Sequence, residues 1–204
     1  RRVMGRLGRL RAESCVLLLC DVQERFRPAI HKFDAVVLRS NRMLIAANSL
    51  KMPTIVTEQY PKGLGHTVAE LDVSNLNTFG GGVYEKTLFS MLCPEVKSRL
   101  DDLGEKYTDF VLCGIEAHVC VQQTTLDLLD AGKSVHLCVD AISSGSPTDR
   151  ATGLRRSERA GAYLTTTESI MMELIREKDH PSFKVISNAL KETKLSLEDS
   201  LEPL

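Results

Sequence analysis

The chain has 204 residues, 43% of them hydrophobic and 26% charged, which is the balance of one globular domain with a sizeable core. Its formal net charge of −1 supplies no one-signed field, so neither nucleic acid nor an anionic membrane surface is expected as a partner. No apolar run approaches the ~20 residues that cross a bilayer, so we predict no membrane-spanning helix.

The two ends differ in character from the middle of the chain. Residues 1–13 start with a basic run, which indicates a disordered N-terminal arm or a remnant of the expression vector. The same Arg-rich, acid-poor composition also fits part of a trimmed organelle-targeting segment. Residues 193–204 are polar and are predicted to form a loose C-terminal tail. The folded domain is therefore predicted to span residues 14–192.

In the first half, short apolar runs alternate with longer segments of helical period. The run CVLLLC is apolar throughout, which predicts a strand buried on both faces. The segment from Pro61 to Gly82 is rich in glycine and proline and is expected to be a loop. The predicted elements are strand 15–20, helix 35–50, strand 53–57, strand 83–86 and helix 94–103.

The second half continues this alternation. A second strongly apolar run, FVLCGI, precedes a helical pattern that stops at Gly132, a typical C-cap residue. Ser146 and Pro147 open a further helix as N-cap and first-turn residues. The predicted elements are strand 110–115, helix 119–131, strand 135–139, a helix opening at 146, strand 163–165, helix 168–176 and helix 182–191.

Strands and helices that alternate in this way indicate right-handed β-α-β crossovers and a parallel sheet covered on both faces. We therefore predict the α/β class, with a three-layer α-β-α architecture and Rossmann-like topology. In such sheets, ligands bind at the carboxyl ends of the strands. The residues that follow each predicted strand are thus the first candidates for an active site.

Three reactive residues stand at those strand ends. Asp21 follows the first strand, Lys86 ends the third, and Cys120 follows strand 110–115 where a helix begins. A helix N-terminus and a nearby ammonium favour the thiolate form of a cysteine, and a carboxylate can accept its proton. Backbone N–H groups of the turn before Cys120 can hold an oxyanion. We therefore expect one joint site.

Each of these residues has a plainer interpretation when taken alone. Cys120 could be an inert packing residue, Asp21 a helix cap and Lys86 a surface charge. Their coincidence at three strand ends favours the joint site. His118 lies two residues before Cys120, a spacing that points side chains apart on a helix, so we expect a pocket wall rather than a Cys–His dyad.

The six cysteines indicate a reducing environment. None belongs to a C-x-x-C pair, so we predict neither a disulfide framework nor a structural zinc site. The expected location is the cytoplasm, with a mitochondrial or other organelle matrix as the alternative. Four of the cysteines lie inside apolar runs and are expected to pack as small hydrophobes: Cys15, Cys20, Cys113 and Cys138.

Four motifs follow one another along the chain: CDVQ at 20–23, TEQYPKGLG at 57–65, EKTLFS at 85–90 and GIEAHVC at 114–120. Together they resemble the isochorismatase-like cysteine hydrolases, most closely the eukaryotic isochorismatase domain-containing proteins. The similarity covers roughly residues 14–192, and ordered motifs of this kind are more specific than any one alone.

The resemblance implies a six-stranded parallel sheet, a homo-oligomer and a catalytic triad of Asp21, Lys86 and Cys120. It also implies a cis peptide bond between Ile115 and Glu116, which would direct the N–H groups of Glu116 and Cys120 at the oxyanion. Four side chains flank the rim motifs and are candidates for the walls of the substrate pocket: Phe26, Tyr60, Phe89 and His118.

Two departures from the family pattern narrow the chemistry. The nicotinamidase branch carries an Asp/His zinc cluster with a D-x-H motif after the second strand, and residues 57–61 lack those histidines. We therefore expect no metal and no cofactor. True isochorismatases lack the cysteine nucleophile, so Cys120 favours acyl chemistry on a small amide-like C–N substrate through a thioester.

Three other functions were weighed against this one. A catalytically silent binding or scaffold protein of the same fold is the main alternative. A nucleotide-binding loop is disfavoured, because Gly63 and Gly65 are followed by Val68 where G-x-G-x-x-G needs glycine. A redox-sensing thiol would need a resolving cysteine near Cys120, and Cys113 is expected to be buried in its strand.

Overall fold

The structure, a computed structural model, describes residues 7–191 and 200–202, apart from the side chain of Asn77. Its strands are β1 (Cys15–Cys20), β2 (Thr54–Gln59), β3 (Gly82–Lys86), β4 (Asp109–Ile115), β5 (Ser134–Ser143) and β6 (Tyr163–Thr165). Its helices are α1 (Phe33–Ser49), α2 (Pro61–Leu64), α3 (Pro94–Leu103), α4 (Cys120–Asp130), α5 (Pro147–Ala160), α6 (Thr167–Ile175) and α7 (Phe183–Lys191).

The six strands form one sheet in the order β3-β2-β1-β4-β5-β6, and every pairing is parallel. The predicted three-layer fold with a six-stranded parallel sheet is confirmed. β1 and β4 lie at the centre, and every residue of both strands is buried. This burial explains why these two segments are the most continuously apolar in the sequence.

Alternate residues of β1 pack into two different core layers. Leu17 and Leu19 face the layer that contains α1, α6 and α7. Val16, Leu18 and Cys20 face the layer that contains α3, α4 and α5. Because side chains alternate along a strand, one apolar run supplies both cores. Among the described helices, none has the length and apolar character that a bilayer span requires.

The predicted elements agree with the observed ones except in two places. The segment predicted as a loop over 61–82 contains the short helix α2 and a 3-10 turn. β5 was predicted to end at Val139 but continues to Ser143, because its register with β4 shifts between Leu112 and Gly114. Asp140 therefore lies inside β5, where it accepts hydrogen bonds from the N–H and hydroxyl of Thr167.

Two residues outside the predicted bounds of 14–192 contact the folded domain. Leu10 belongs to the predicted arm, yet it is completely buried and its N–H donates to Glu173 Oε1 at 3.0 Å. Glu202 belongs to the predicted tail, and its carbonyl accepts from Arg150 Nη1 at 3.0 Å. Apolar contact and satisfied backbone groups thus hold these segments on the core. The remaining parts of the arm and tail, 1–6, 192–199 and 203–204, lie outside the described residues.

Candidate active site

Three side chains meet at the carboxyl edge of the sheet. Asp21 follows β1 directly, Lys86 is the last residue of β3, and Cys120 is the first residue of α4. Because β2 lies between β1 and β3, the Lys86 side chain reaches across β2 to place Nζ 2.7 Å from Asp21 Oδ2. The Cys120 sulfur lies within 4.8 Å of the Asp21 carboxylate.

The backbone of Asp21 turns sharply at the end of β1. Its φ of +52° lies in the left-handed region, which aspartate tolerates better than branched residues do. Its N–H donates to the carbonyl of Thr57 at 3.1 Å, and the Thr57 hydroxyl donates to Asp21 Oδ1 at 2.7 Å. The carboxylate is therefore fixed in a buried position facing the other two groups.

The Lys86 ammonium is completely buried and surrounded by oxygen atoms. It donates to Asp21 Oδ2 and to Gln59 Oε1, both at 2.7 Å. The chain bends back after β3, so the carbonyls of Leu88 and Phe89 also lie within 3.1 and 3.0 Å of Nζ. All three N–H bonds have acceptors, which is what a buried charge requires.

Burial and charge set the protonation of the pair. Burial raises the pKa of the Asp21 carboxyl above its ordinary value, although the Lys86 ammonium and the Thr57 hydroxyl act in the opposite direction. Burial tends to lower the pKa of Lys86, but its interactions with Cys20, Asp21 and Cys120 outweigh burial and raise that pKa. Lys86 stays protonated, and Asp21 accepts a proton more readily than an ordinary aspartate.

Cys120 has a second sulfur beside it. The Sγ atoms of Cys20 and Cys120 and a carboxylate oxygen of Asp21 all lie within 4.8 Å of one another. The Cys20 thiol donates to Asp21 Oδ2 at 3.5 Å. Cys20, which the sequence indicated only as a packing residue, therefore contacts the site directly.

The turn between β4 and α4 presents main-chain N–H groups next to the Cys120 sulfur. The Ile115–Glu116 peptide bond is cis, at the position that the resemblance indicates. The N–H of Ala117 donates to the carbonyl of Ser143 at 2.9 Å. Within residues 7–191 and 200–202, the N–H groups of Glu116 and Cys120 have no acceptor. Two donors are thus available to a ligand at this turn.

Two glycines allow close backbone contacts around this turn. At Gly114, where φ is +114°, a Cβ atom would lie 2.1 Å from the carbonyl oxygen of Cys20. At Gly153, in α5, it would lie 2.5 Å from the carbonyl oxygen of Ala117 and 2.6 Å from the Cα of His118. A larger residue at either position would displace the turn, so both glycines help to position Cys120.

The four predicted pocket residues lie in different environments. Phe26 is partly buried against the core layer of α1. His118 Nδ1 lies 3.0 Å from Ser144 Oγ, so this imidazole nitrogen is hydrogen-bonded to a serine and not to the Cys120 sulfur. Tyr60 and Phe89 are 55% and 54% exposed. The structure thus leaves Tyr60 and Phe89 at the surface and packs the other two against neighbours.

A cavity of about 470 Å³ opens between α2 and α3, beside the edge strand β3. Tyr60, Leu88 and Lys86 are among its lining residues, whereas Asp21 and Cys120 are not. Lys86 therefore belongs both to the wall of this cavity and to the buried cluster.

Sequence reasoning missed two polar contacts on β2. Thr57 and Gln59 lie two residues apart and so face the same side, between Asp21 and Lys86. The parallel register aligns Cys20 with Thr57 and Gln59 with Lys86. The sequence signal that could have identified these contacts is the spacing of Thr57 and Gln59, two polar residues two positions apart in a strand that is otherwise buried.

Glu58 lies between these two residues and faces the opposite side. It accepts from the N–H of Thr67 at 2.7 Å and from its hydroxyl at 2.8 Å, and it lies 2.8 Å from His66 Nδ1. Burial acts to raise the pKa of Glu58, but the hydrogen bonds from Thr67 and His66 outweigh it and lower that pKa. Glu58 therefore secures the loop that follows α2.

The cluster also contains potential metal ligands. Cys20, Asp21 and Cys120 offer two thiols and a carboxylate within reach of one ion. The Lys86 ammonium lies 2.7 Å from the same carboxylate and would repel a cation placed there. The arrangement suits proton transfer to and from sulfur better than metal coordination.

This chain has relatives among known proteins. Residues 15–169 match the family model described as Isochorismatase domain. The chain belongs to the isochorismatase family. Isochorismatase domain-containing protein 2 of Xenopus laevis is 46% identical to this family member over 189 residues, which cover 93% of this chain and 89% of that protein. The family predicted from the four sequence motifs is confirmed.

Solved structures of isochorismatase-fold proteins superpose closely on this family member. The structure described as MAR1 ribonuclease from Caenorhabditis elegans has a TM-score of 0.84 and 42% identity, covering 96% of this chain and 98% of that one. The ycaC gene product of Escherichia coli, described as an octameric hydrolase of unknown specificity, has a TM-score of 0.80 and 22% identity, covering 93% and 94%. The second likeness establishes the shared fold.

Proposed function

We propose that this isochorismatase-family protein is a cysteine hydrolase that cleaves a small amide-like C–N bond through a thioester on Cys120. The observation that carries the proposal is the buried cluster in which one carboxylate, that of Asp21, accepts a hydrogen bond from the Lys86 ammonium at 2.7 Å and lies within 4.8 Å of the Cys120 sulfur. A base, a fixed cation and a nucleophile are the parts that covalent acyl transfer needs.

In the first half-reaction, Asp21 accepts the thiol proton of Cys120 and the sulfur attacks the substrate carbonyl carbon. The carbonyl oxygen becomes an oxyanion, which the N–H groups of Glu116 and Cys120 stabilise. The amine leaves with the proton held by Asp21. In the second half-reaction, Asp21 accepts a proton from water and the resulting hydroxide attacks the thioester carbonyl carbon. The carbon–sulfur bond breaks, the acid is released, and the Cys120 sulfur takes back the proton from Asp21. Lys86 stays protonated throughout and holds Asp21 in place.

The surroundings of the sulfur favour a small substrate. Cys120 is only 7% exposed, so a bulky polymer could not reach its sulfur without rearrangement. We assign the side chains that flank the rim to the walls of the substrate pocket: Phe26, Tyr60, Phe89 and His118. Aromatic walls favour a planar acyl group.

An activated ester tests the covalent step without knowledge of the natural substrate. Mixed with p-nitrophenyl acetate, the wild-type protein should release a burst of p-nitrophenol and gain one acetyl group, which intact-protein mass spectrometry detects and peptide mapping locates on Cys120. Cys120→Ala should show neither effect. Cys93→Ala is the matched control, because Cys93 is another buried cysteine at a helix start, that of α3, and should leave both signals unchanged.

Equal acetylation of wild type and Cys120→Ala would contradict the thioester mechanism. A wild-type protein that folds but neither releases p-nitrophenol nor hydrolyses any of a panel of small amides would favour the silent binding or scaffold alternative. These two outcomes differ, because the first shows reactivity elsewhere in the chain and the second shows none.

The name of the C. elegans relative introduces RNA as a second candidate substrate. Two observations favour the amide. The chain has a net charge of −1, whereas binding to a phosphate backbone draws on a cluster of cations. The cation at the site, Lys86, is completely buried with acceptors for all its N–H bonds. Cleavage of labelled RNA by wild type, lost in Cys120→Ala, would reverse this preference.

We further propose that the protein forms a homo-oligomer through the edge of the sheet at β3. Four large apolar side chains are 42–55% exposed at or next to this edge: Tyr60, Val83, Leu88 and Phe89. Exposed apolar patches of this kind mark interaction surfaces. Light scattering after gel filtration should give a multiple of 22.6 kDa for the wild type and a smaller mass for Phe89→Lys.

For the compartment, we propose the cytoplasm or an organelle matrix. All six cysteines are buried and none forms a disulfide. Free thiols of this number persist where glutathione and thioredoxin keep them reduced.

A further inference from the structure

Cys20 is placed to react with Cys120. Cys20 ends β1, and its side chain enters the core layer that also contains Cys120. The two sulfur atoms lie within 4.8 Å of each other, and a disulfide bond needs about 2 Å. Disulfide formation therefore requires the sulfurs to approach by side-chain rotation in the first turn of α4, and helix ends are where such movement is easiest.

The two thiols differ in exposure and in acidity. Cys120 is 7% exposed, whereas Cys20 is completely buried. Burial also raises the pKa of the Cys20 thiol well above its ordinary value, and the adjacent Cys120 and Asp21 add to that effect. A small oxidant therefore meets Cys120 first, and Cys20 is still a thiol when it does.

We propose that Cys20 is the resolving cysteine for Cys120, so that a hydroperoxide converts the pair reversibly into a disulfide. In the first step the Cys120 sulfur attacks the peroxide oxygen, giving a sulfenic acid and water or an alcohol; sulfur is oxidised and the peroxide is reduced. In the second step Asp21 takes the Cys20 thiol proton along the existing 3.5 Å hydrogen bond. The Cys20 sulfur then displaces hydroxide from Cys120, and the hydroxide leaves as water with that proton.

On the sequence alone, Cys113 is the resolving partner considered, and it is discounted because its strand is expected to be buried; Cys20 is not considered. Cys113 lies in the other core layer together with Cys138, and both are completely buried. The sequence hides the true partner, because Cys20 stands one hundred residues before Cys120 and becomes its neighbour only through the pairing of β1 with β4.

The disulfide would shield the nucleophile from irreversible oxidation. Cys120 held in a disulfide cannot attack a carbonyl, so turnover would stop until a thiol reductant restores it. This consequence for turnover rests on the proposed hydrolase function, whereas formation of the disulfide does not.

Peroxide titration with peptide mapping tests the proposal. The reduced wild-type protein is treated with hydrogen peroxide, its free thiols are alkylated, and it is digested without reductant. We expect a peptide linked through Cys20 and Cys120, lost on treatment with dithiothreitol. In Cys20→Ser, which keeps a hydroxyl for Asp21, dimedone should trap the sulfenic acid on Cys120, and higher peroxide should give sulfinic acid there.

Cys138→Ala is the matched control, since it removes a thiol from the other buried pair and should leave the linked peptide unchanged. Sulfinic acid on Cys120 at equal peroxide doses in wild type and Cys20→Ser, with no linked peptide in wild type, would overturn the proposal. The wild-type peptide map needs no variant, so a misfolded Cys20→Ser protein does not obscure the result.

The acetyl-transfer assay separates this inference from the proposed function. A linked peptide in a protein that p-nitrophenyl acetate does not acetylate supports the resolving role and counts against the hydrolase. Acetylation of Cys120 without any linked peptide after peroxide overturns the resolving role alone. If both hold, dithiothreitol should restore most of the burst to peroxide-treated wild type and little of it to Cys20→Ser.

Discussion

Asp21, directly after β1, and Glu58, in the neighbouring strand β2, are two buried carboxylates whose pKa values shift in opposite directions. Asp21 faces the Lys86 ammonium, and burial nevertheless raises the pKa of Asp21. Glu58 receives an N–H and a hydroxyl from Thr67 as well as His66, and these bonds lower the pKa of Glu58 despite its burial. Burial acts on both groups in the same direction, so the donors around each decide the outcome.

The contrast explains why one carboxylate suits chemistry and the other suits structure. An anion that is saturated with hydrogen bonds gains little from accepting a proton, so Glu58 is a poor base. Asp21 shares a cation with other acceptors and has a thiol at hydrogen-bond distance. Its proton affinity is therefore available to a neighbouring sulfur.

Replacing each carboxylate by its amide is the strongest test of this contrast. Asp21→Asn should slow acetyl transfer from p-nitrophenyl acetate by about 10²–10⁴-fold, because the general base is lost. Glu58→Gln should stay close to the wild-type rate. Stopped-flow release of p-nitrophenol gives both rates, and circular dichroism checks that each variant is folded. A similar loss in both variants would remove the distinction between the two carboxylates.

Removal of the cation should have the next largest effect. Lys86→Ala leaves Asp21 buried without its counter-charge and should cost about 3–5 kcal/mol in the free energy of unfolding, measured with urea. The double variant Asp21→Asn/Lys86→Ala should lose less than the sum of the single losses, because no unpaired charge remains. Lys62→Ala, at an exposed lysine of α2, is the control and should change little. Strict additivity would show that the two charges do not interact.

The smallest predicted effect concerns the stability that Glu58 supplies. Glu58→Gln should cost about 1–3 kcal/mol at neutral pH, since bonds to a charged acceptor are weakened. The folded-state pKa of Glu58 lies below its ordinary value of 4.5, so its stabilisation is present above pH 4.5 and is lost as pH falls through the folded pKa. Urea midpoints of wild type and Glu58→Gln should therefore converge in acid.

His66→Ala provides the control for the pH dependence. The hydrogen bond to Glu58 raises the pKa of His66 above 6.5. The stabilisation that protonated His66 supplies is therefore fully present below pH 6.5 and is lost as pH rises through the pKa of His66 in the folded protein. The loss of stability relative to wild type should therefore shrink toward low pH in Glu58→Gln and shrink toward high pH in His66→Ala. Parallel curves would contradict the assignment of the pair.

The main reactive residues could be predicted because their placement follows a local rule. Asp21 and Cys120 come after apolar runs that are recognisable as strands, Lys86 ends the short predicted strand 83–86, and parallel strands bring their carboxyl ends to one edge. The same rule gave the fold, since apolar runs and helical periods alternate from Cys15 onward. Neither conclusion needs knowledge of which strands are neighbours.

The contacts that the sequence did not disclose depend on neighbours and register. Cys20 contacts Cys120 only because β1 pairs with β4, and Gln59 contacts Lys86 only because β2 lies between β1 and β3. The extension of β5 past Val139 also depends on pairing, because its register shift is defined against β4. The sequence of a single strand does not specify which residues of its neighbours it will pair with.

The short segment after β3 has a backbone that faces inward and side chains that face outward. The carbonyls of Leu88 and Phe89 accept from the Lys86 ammonium, while both side chains are more than half exposed. A partner that binds those two side chains and moves them would also move the two carbonyl oxygens that accept from the buried Lys86 ammonium. Binding at this outer edge of the sheet is therefore coupled, through the main chain of residues 88 and 89, to the position of the Lys86 ammonium and so to the pKa of Asp21.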